Sequence, residues 1–130
     1  MIIYAPISVG ELLDKIAILR VKYDRLTDEF KKENVKIELE LLETLCLNLP
    51  NLPSQDIHQL INKLALVNTE IWDIEDDIRN KERKKEFDSD FVQLARSVYF
   101  KNDLRAEIKR ELNIIYGSGI TEEKSYEKYN

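Results

Sequence analysis

Glycine and proline are scarce in this chain: its 130 residues hold three of each. The glycines are Gly10, Gly117 and Gly119, and the prolines Pro6, Pro50 and Pro53. Between Gly10 and Gly117 only the step Pro50-Asn-Leu-Pro53 breaks a helix. That excludes a hairpin-rich β fold, which needs turn glycines repeatedly, and a glycine-rich phosphate loop at a helix start. With one cysteine, Cys46, no intramolecular disulfide is possible, and a reducing cytoplasm is the expected setting. No run approaches the roughly 20 apolar residues of a membrane span. The start, MIIYAPISVG, lacks a basic leader and is too short for a signal peptide. Against 20 Lys+Arg stand 25 Asp+Glu, and a net charge of -5 gives no general attraction to nucleic acid or anionic membrane.

What is present is apolar periodicity in a charged background, with 43% apolar and 35% charged residues in a length that suits one core. The expected fold is all-α: an elongated antiparallel bundle of about four helices, roughly 8–32, 34–49, 54–85 and 89–116. Residues 1–117 form a single domain with a short N-terminal strap, and 118–130 form a polar tail, loose or docked. Ser8 with Glu11 three residues on is a capping box that opens helix 1. Val9, Leu12, Ile16, Leu19, Tyr23, Leu26 and Phe30 then step by three and four. Asn34 is a plausible cap for helix 2, whose seam is Val35, Leu39, Leu42, Cys46 and Leu49, flanked by Leu41 and Leu45, before Pro50 and Pro53 end it. Ser54 can cap helix 3, striped by Ile57, Leu60, Leu64, Val67, Ile71, Ile74 and Ile78. Asp88 or Ser89 opens helix 4, which Gly117 stops. Stripes this continuous leave apolar flanks that self-association would cover, so a homo-oligomer is expected.

The informative irregularity is in helix 4. Steps of three and four from Ala95 reach Val98, Asn102, Arg105, Lys109, Leu112 and Tyr116, so three polar residues interrupt an apolar stripe. Buried charge is costly unless paired. Either carboxylates from another helix answer Arg105 and Lys109, with Glu11, Asp14, Glu75 and Asp76 as candidates, or a bound anion does. A guanidinium fork beside an ammonium suits carboxylate or phosphate. The candidate ligand-binding set is therefore Asn102, Arg105 and Lys109, with Arg96 and Tyr99 beside them.

Helix 3 carries Glu70-Ile-Trp72-Asp73-Ile-Glu75-Asp76-Asp77 and then a basic run from Arg79 to Lys85. Spacing of four from Glu75 to Arg79 and from Asp77 to Lys81 favours surface ion pairs, and the basic run, without interleaved aromatics, reads as a solvated helix end and not a nucleic-acid contact. Glu40-x-x-Glu43 with Glu70-x-x-Asp73 resembles the carboxylate pattern of all-α nucleoside triphosphate pyrophosphohydrolases. That resemblance implies Mg2+ held by Glu40, Glu43, Glu70 and Asp73 to activate water on a phosphoanhydride. It departs where Leu39 replaces the paired glutamate; without it no cofactor is expected. His58 belongs to no nucleophile motif and is expected at the surface, Cys46 as a buried thiol in the seam, and Trp72 as a packing anchor.

Taken in order, ISVGELLDKIAIL, IWDIEDDIR, FVQLARSVYFKNDLRAEIKRELN and GSGITEEKSY resemble a family of small bacterial and phage all-helical proteins known only as a domain of unknown function. The resemblance runs nearly end to end and is weakest across 31–65. It implies no catalytic residue or cofactor, and the association of that family with glycan-synthesis proteins implies a sugar-nucleotide or phosphate context. The expected function is a self-associating helical interaction module, or a module binding a small anion such as phosphate, sugar nucleotide or carboxylate. The alternatives are the Mg2+-dependent hydrolase and a helical-bundle enzyme that clamps a carboxylate metabolite with Arg105 and Lys109.

Overall fold

The computed structural model describes residues 1–52 and 55–130. Among them are four helices and no strand: α1 (Val9–Arg25), α2 (Glu29–Cys46), α3 (Gln55–Lys84) and α4 (Ser89–Tyr116). The all-α bundle expected from the spacing is the observed architecture. The proposed cap Ser54 and the stop Pro53 lie outside the described residues.

α1 starts where the Ser8–Glu11 spacing predicts, and its orphan backbone donors are all accounted for by side chains or the preceding carbonyl. Ser8 Oγ accepts from the Glu11 amide at 3.1 Å, and the Ser8 carbonyl accepts from the Leu12 amide. The two remaining donors are met from the far end of the chain. Asn113 Oδ1 accepts from the Gly10 amide at 2.6 Å and Ser118 Oγ from the Val9 amide at 3.2 Å. α4 stops at Gly117, whose φ of 63° is the left-handed turn that glycine adopts without penalty. The Ser118 amide then donates to the Asn113 carbonyl and the Gly117 amide to the Ile114 carbonyl, a Schellman ending. The start of α1 and the end of α4 thus form one hydrogen-bonded joint.

Opposite-charge partners show the helix directions. Glu11 and Asp14 of α1 meet Lys109 and Arg105 of α4, and Glu70 and Lys81 of α3 meet Lys101 and Asp88, so α4 runs antiparallel to both. Among the described residues, α1 touches the other three helices, whereas α2 packs on α1 alone. The central position of α1 explains why its buried residues, Gly10, Leu12, Asp14, Ile16, Ala17, Leu19 and Val21, point all round the helix. The main core joins Ala17 to Leu60, Leu64 and Val67 of α3 and to Ile108 and Leu112 of α4. α3 has 30 residues against 17 in α1, so its far half outruns the bundle and forms a two-helix hairpin with α4. This is why Ile57, Leu60, Leu64 and Val67 are buried while Ile71, Ile74 and Ile78 of the same stripe are only half-buried. At the hairpin tip, Asp88 caps α4 by accepting from the Phe91 amide at 3.0 Å, and Lys81 reaches across to Asp88 and Glu86 instead of the expected Asp77.

Two expectations are corrected. Helix 1 ends at Arg25, not near residue 32, and helix 2 begins at Glu29, which leaves Asn34 inside α2 and not at its start. Leu26 turns extended, and the Asp28 carboxylate accepts from the Phe30 and Lys31 amides at 2.9 and 3.1 Å. The three-four spacing runs on through this turn by coincidence, while the actual break is the extended Leu26 followed by the Asp28 cap of α2, with no glycine or proline to mark it. The second correction is Cys46, half-buried and not sealed in a core, because α2 buries no residue. The seam itself is as expected, with Val35, Leu39, Leu42, Cys46 and Leu49 all half-buried.

Gly10 allows the α1–α4 joint to close. A Cβ there would lie 2.4 Å from the Lys109 carbonyl oxygen and 2.9 Å from Asn113 Oδ1. Gly10→Ala is expected to lower stability to urea by about 1–3 kcal/mol through overpacking, whereas Gly119→Ala, with nothing within 4 Å, leaves the midpoint nearly unchanged.

Candidate functional site

Arg105 and Lys109 sit one turn apart on α4 and face α1. Their partners are the Glu11 and Asp14 carboxylates, which lie three apart on one face of α1. Asp14 is fully buried, with no exposed side-chain surface. Its Oδ1 accepts from Arg105 Nε at 2.9 Å and from Asn68 Nδ2 at 2.9 Å, and its Oδ2 accepts from Arg105 Nη2. Lys109 Nζ donates to Glu11 at 2.6 Å and stands 3.9 Å from Asp14. The hydrogen bond to Asp14 holds the Arg105 guanidinium above its ordinary pKa against the opposing effect of burial. Burial pulls Lys109 down, but its hydrogen bonds to Glu11 and Glu122 and the nearby charges outweigh that, and its net shift is upward. Both cations are therefore firmly charged and already matched. Glu75 and Asp76, the other candidate partners, stay outside this cluster: Glu75 pairs with Arg79, and Asp76 is exposed.

The C-terminal segment completes the site. Glu122 accepts from Lys109 at 2.9 Å and stands 2.7 Å from Lys124. Its carboxyl is pushed down to about 2 by its hydrogen bonds to Lys124 and then Lys109. Further along, the Tyr129 hydroxyl donates to Asp103 at 2.6 Å, with its ring 5.3 Å from Tyr99 and edge-on to Phe100 at 5.1 Å. The tail is docked along α4. Between them lies a cavity of about 660 Å³ lined by Tyr99, Asn102, Arg105, Lys109, Tyr126 and Tyr129, among others. Four of the five proposed ligand-binding residues thus share one cavity. Arg96 does not line it; it bonds Gln93 at 3.1 Å and lies 5.7 Å from the Phe100 ring centre. Asn102 donates to the Val98 carbonyl at 3.0 Å, which ties its amide to its own helix.

The four carboxylates proposed for Mg2+ are not brought together. α2 and α3 do not pack on each other, and three of the four take a cation from another helix: Glu43 with Arg20 at 3.1 Å, Asp73 with Arg25 at 2.5 Å, and Glu70 with Lys101. Glu40 is exposed. Among the described residues no three His, Cys, Asp or Glu side chains are grouped to hold a metal. His58 is exposed, and Trp72 is half-buried beside Ile18, Val21 and Asn68.

Sequence reasoning missed Asn68, Asn113 and Glu122. Asn68 follows the stripe residue Val67 and carries no pattern of its own; its role depends on facing Asp14 from 54 positions away. Asn113 had one signal, its place in the last turn before Gly117. No protein-family model, curated protein or solved structure matches the chain, so no residue takes a role from a relative.

Removing one partner of a buried pair strands the other. Asp14→Ala is therefore expected to cost about 3–5 kcal/mol in urea denaturation, and the double change Asp14→Leu/Arg105→Met to recover most of it. Glu122 has a second, local effect. Lys124 within the tail lowers its pKa most and Lys109 of α4 next, so the part of its stabilisation that comes from Lys109 holds the tail above the ordinary carboxylate range and is lost as the pH falls toward about 2. A carboxyl-resolved NMR titration should place its midpoint there, and Lys109→Gln should move it back up toward the ordinary range.

Proposed function

We propose that this chain is a non-catalytic helical interaction module that self-associates through the outer face of α2, with α1, α3 and α4 as its scaffold. The observation that carries this is the unpartnered side of α2. The helix has one neighbour and no buried side chain, yet Phe30 (78% exposed), Ile37, Leu41 and Leu45 lie open on it. Steps of seven, four and four put these residues within one arc of the helix surface. Contiguous exposed apolar side chains mark interaction surfaces, and an identical face on a second copy is the simplest cover, since two-fold pairing requires only a self-complementary patch.

A ligand role for Asn102, Arg105 and Lys109 is supported by the cavity they share with three tyrosines. Its chemistry narrows the class of anion. Lys109 already holds a carboxylate from the tail, and Asp103, Glu122 and Glu127 line the same space. A multiply charged phosphate ligand meets repulsion from those three groups, whereas a carboxylate repeats the contact that Glu122 makes. No comparable support exists for the hydrolase, whose four carboxylates are dispersed, or for a carboxylate-transforming enzyme, whose two clamps are engaged by Asp14, Glu11 and Glu122.

Sedimentation equilibrium tests the main proposal. At tens of micromolar the chain is expected to sediment as a dimer or larger, and Ile37→Glu/Leu41→Glu as a monomer with unchanged helical circular dichroism, because both side chains are exposed. A monomeric parent chain would overturn it.

A further inference from the structure

The tail sits on α4 as a bound peptide sits in a groove. Residues 121–130 are all exposed, yet two of them are seated by specific chemistry. Glu122 places its carboxylate on Lys109, and Tyr129 places its ring against Tyr99 and Phe100 with its hydroxyl on Asp103. The two receiving positions, Lys109 and Asp103, are six residues apart on α4, about 9 Å along the axis at 1.5 Å per residue. Their two ligands are seven residues apart in the tail, enough for about 23 Å of extended chain. The segment between them therefore has chain to spare and arches over the cavity, which Lys124, Tyr126 and Glu127 help to line. That arch roofs the cavity and leaves Tyr126 77% exposed on its rim.

Slack has an energetic meaning. The intervening residues are ordered without making burial of their own, and exposed ion pairs contribute little net stability. The tail stays in place mainly because it is tethered at Ser118, whose hydroxyl and amide are fixed in the α1–α4 joint. An occupant held by tethering and not by fit is displaceable by a separate segment that offers the same two groups and adds apolar contacts of its own along the cavity. The groove in turn has the polarity for one: an ammonium at one end, a carboxylate facing a phenol at the other, and two aromatic rings beside it.

From this the geometry points to the Lys109–Tyr99 face of α4 as a docking groove for an acidic, tyrosine-bearing peptide of a partner protein, with the chain's own tail as its built-in competitor. This rests on the assignment of a carboxylate to that groove, and deepens it by naming a peptide as the carrier. Self-association through α2 is independent of it.

The test uses the full chain and a fluorescein-labelled peptide with the sequence of residues 118–130, read by fluorescence polarisation. Glu122→Ala/Tyr129→Ala removes both anchors from the tethered tail without touching the groove. This variant is expected to bind the peptide saturably and about tenfold or more tighter than the parent chain, in which the tail competes. A peptide with Gln and Phe at the two anchor positions is expected to lose about tenfold or more in affinity. Equal binding by parent and variant, no binding by the variant, or equal binding of the two peptides overturns the proposal. Displacement of the peptide by unlabelled parent chain would reassign the occupant to a second copy and also overturns it. The sedimentation of Ile37→Glu/Leu41→Glu reports on α2 alone, so a failure of either proposal is seen separately.

Discussion

The structure depends on one carboxylate with no access to water. Among the described residues, Asp14 lies on the only helix that touches all the others, and its oxygens are matched by Arg105 of α4 and Asn68 of α3. A shift of either helix by one residue, or a rotation of α1, strands this charge in a low-dielectric interior, where it costs several kcal/mol. Buried ion pairs often add little net stability over an apolar core of the same volume. Their consequence here is register: among the ways three amphipathic helices could pack, the pairing singles out one. One turn away, Gly10 and Asn113 secure the same register by a different means, close backbone approach closed by a hydrogen bond.

From that constraint follows a division of the molecule. α1 and the adjoining halves of α3 and α4 are dense, polar groups included, and no buried side-chain polar atom among the described residues lacks a partner. α2 and the tail lie outside this region. Each is held on one side only, α2 by a half-buried seam on α1 and the tail by two anchors on α4. Elements attached in this way can change partners without disturbing the core, which is the physical basis for placing recognition on them. The same pairing that builds the core takes up the Arg105 charge with Asp14, while Lys109 keeps a contact to a carboxylate of the tail.

Much of this was readable residue by residue, because it rests on local chemistry. Ser8 opens α1, Asp88 caps α4 and Gly117 stops it, each through hydrogen bonds spanning a few positions. The Arg105–Lys109 interruption stood out against regular stripes, and Glu11 and Asp14 were among its possible partners. What misled was periodicity carried too far. Leu26 and Phe30 continued a stripe that the backbone had already left, because a three-residue turn happens to keep the same spacing. Buried asparagines left no trace, since an amide is polar in composition and acquires its role only from what faces it.

The amino-acid sequence by itself determined helix content, the start of α1 and both ends of α4, the apolar seams, and the presence of charge on the inner stripe of α4. Only the tertiary structure decided which carboxylates answer that charge, that α2 lies against one helix instead of completing a four-helix core, and that the tail returns to α4. The reason is range. Caps and stripes are set by neighbours within a turn or two, whereas the burial of Asp14 depends on contacts 54 and 91 positions away, and no spacing rule encodes which faces meet.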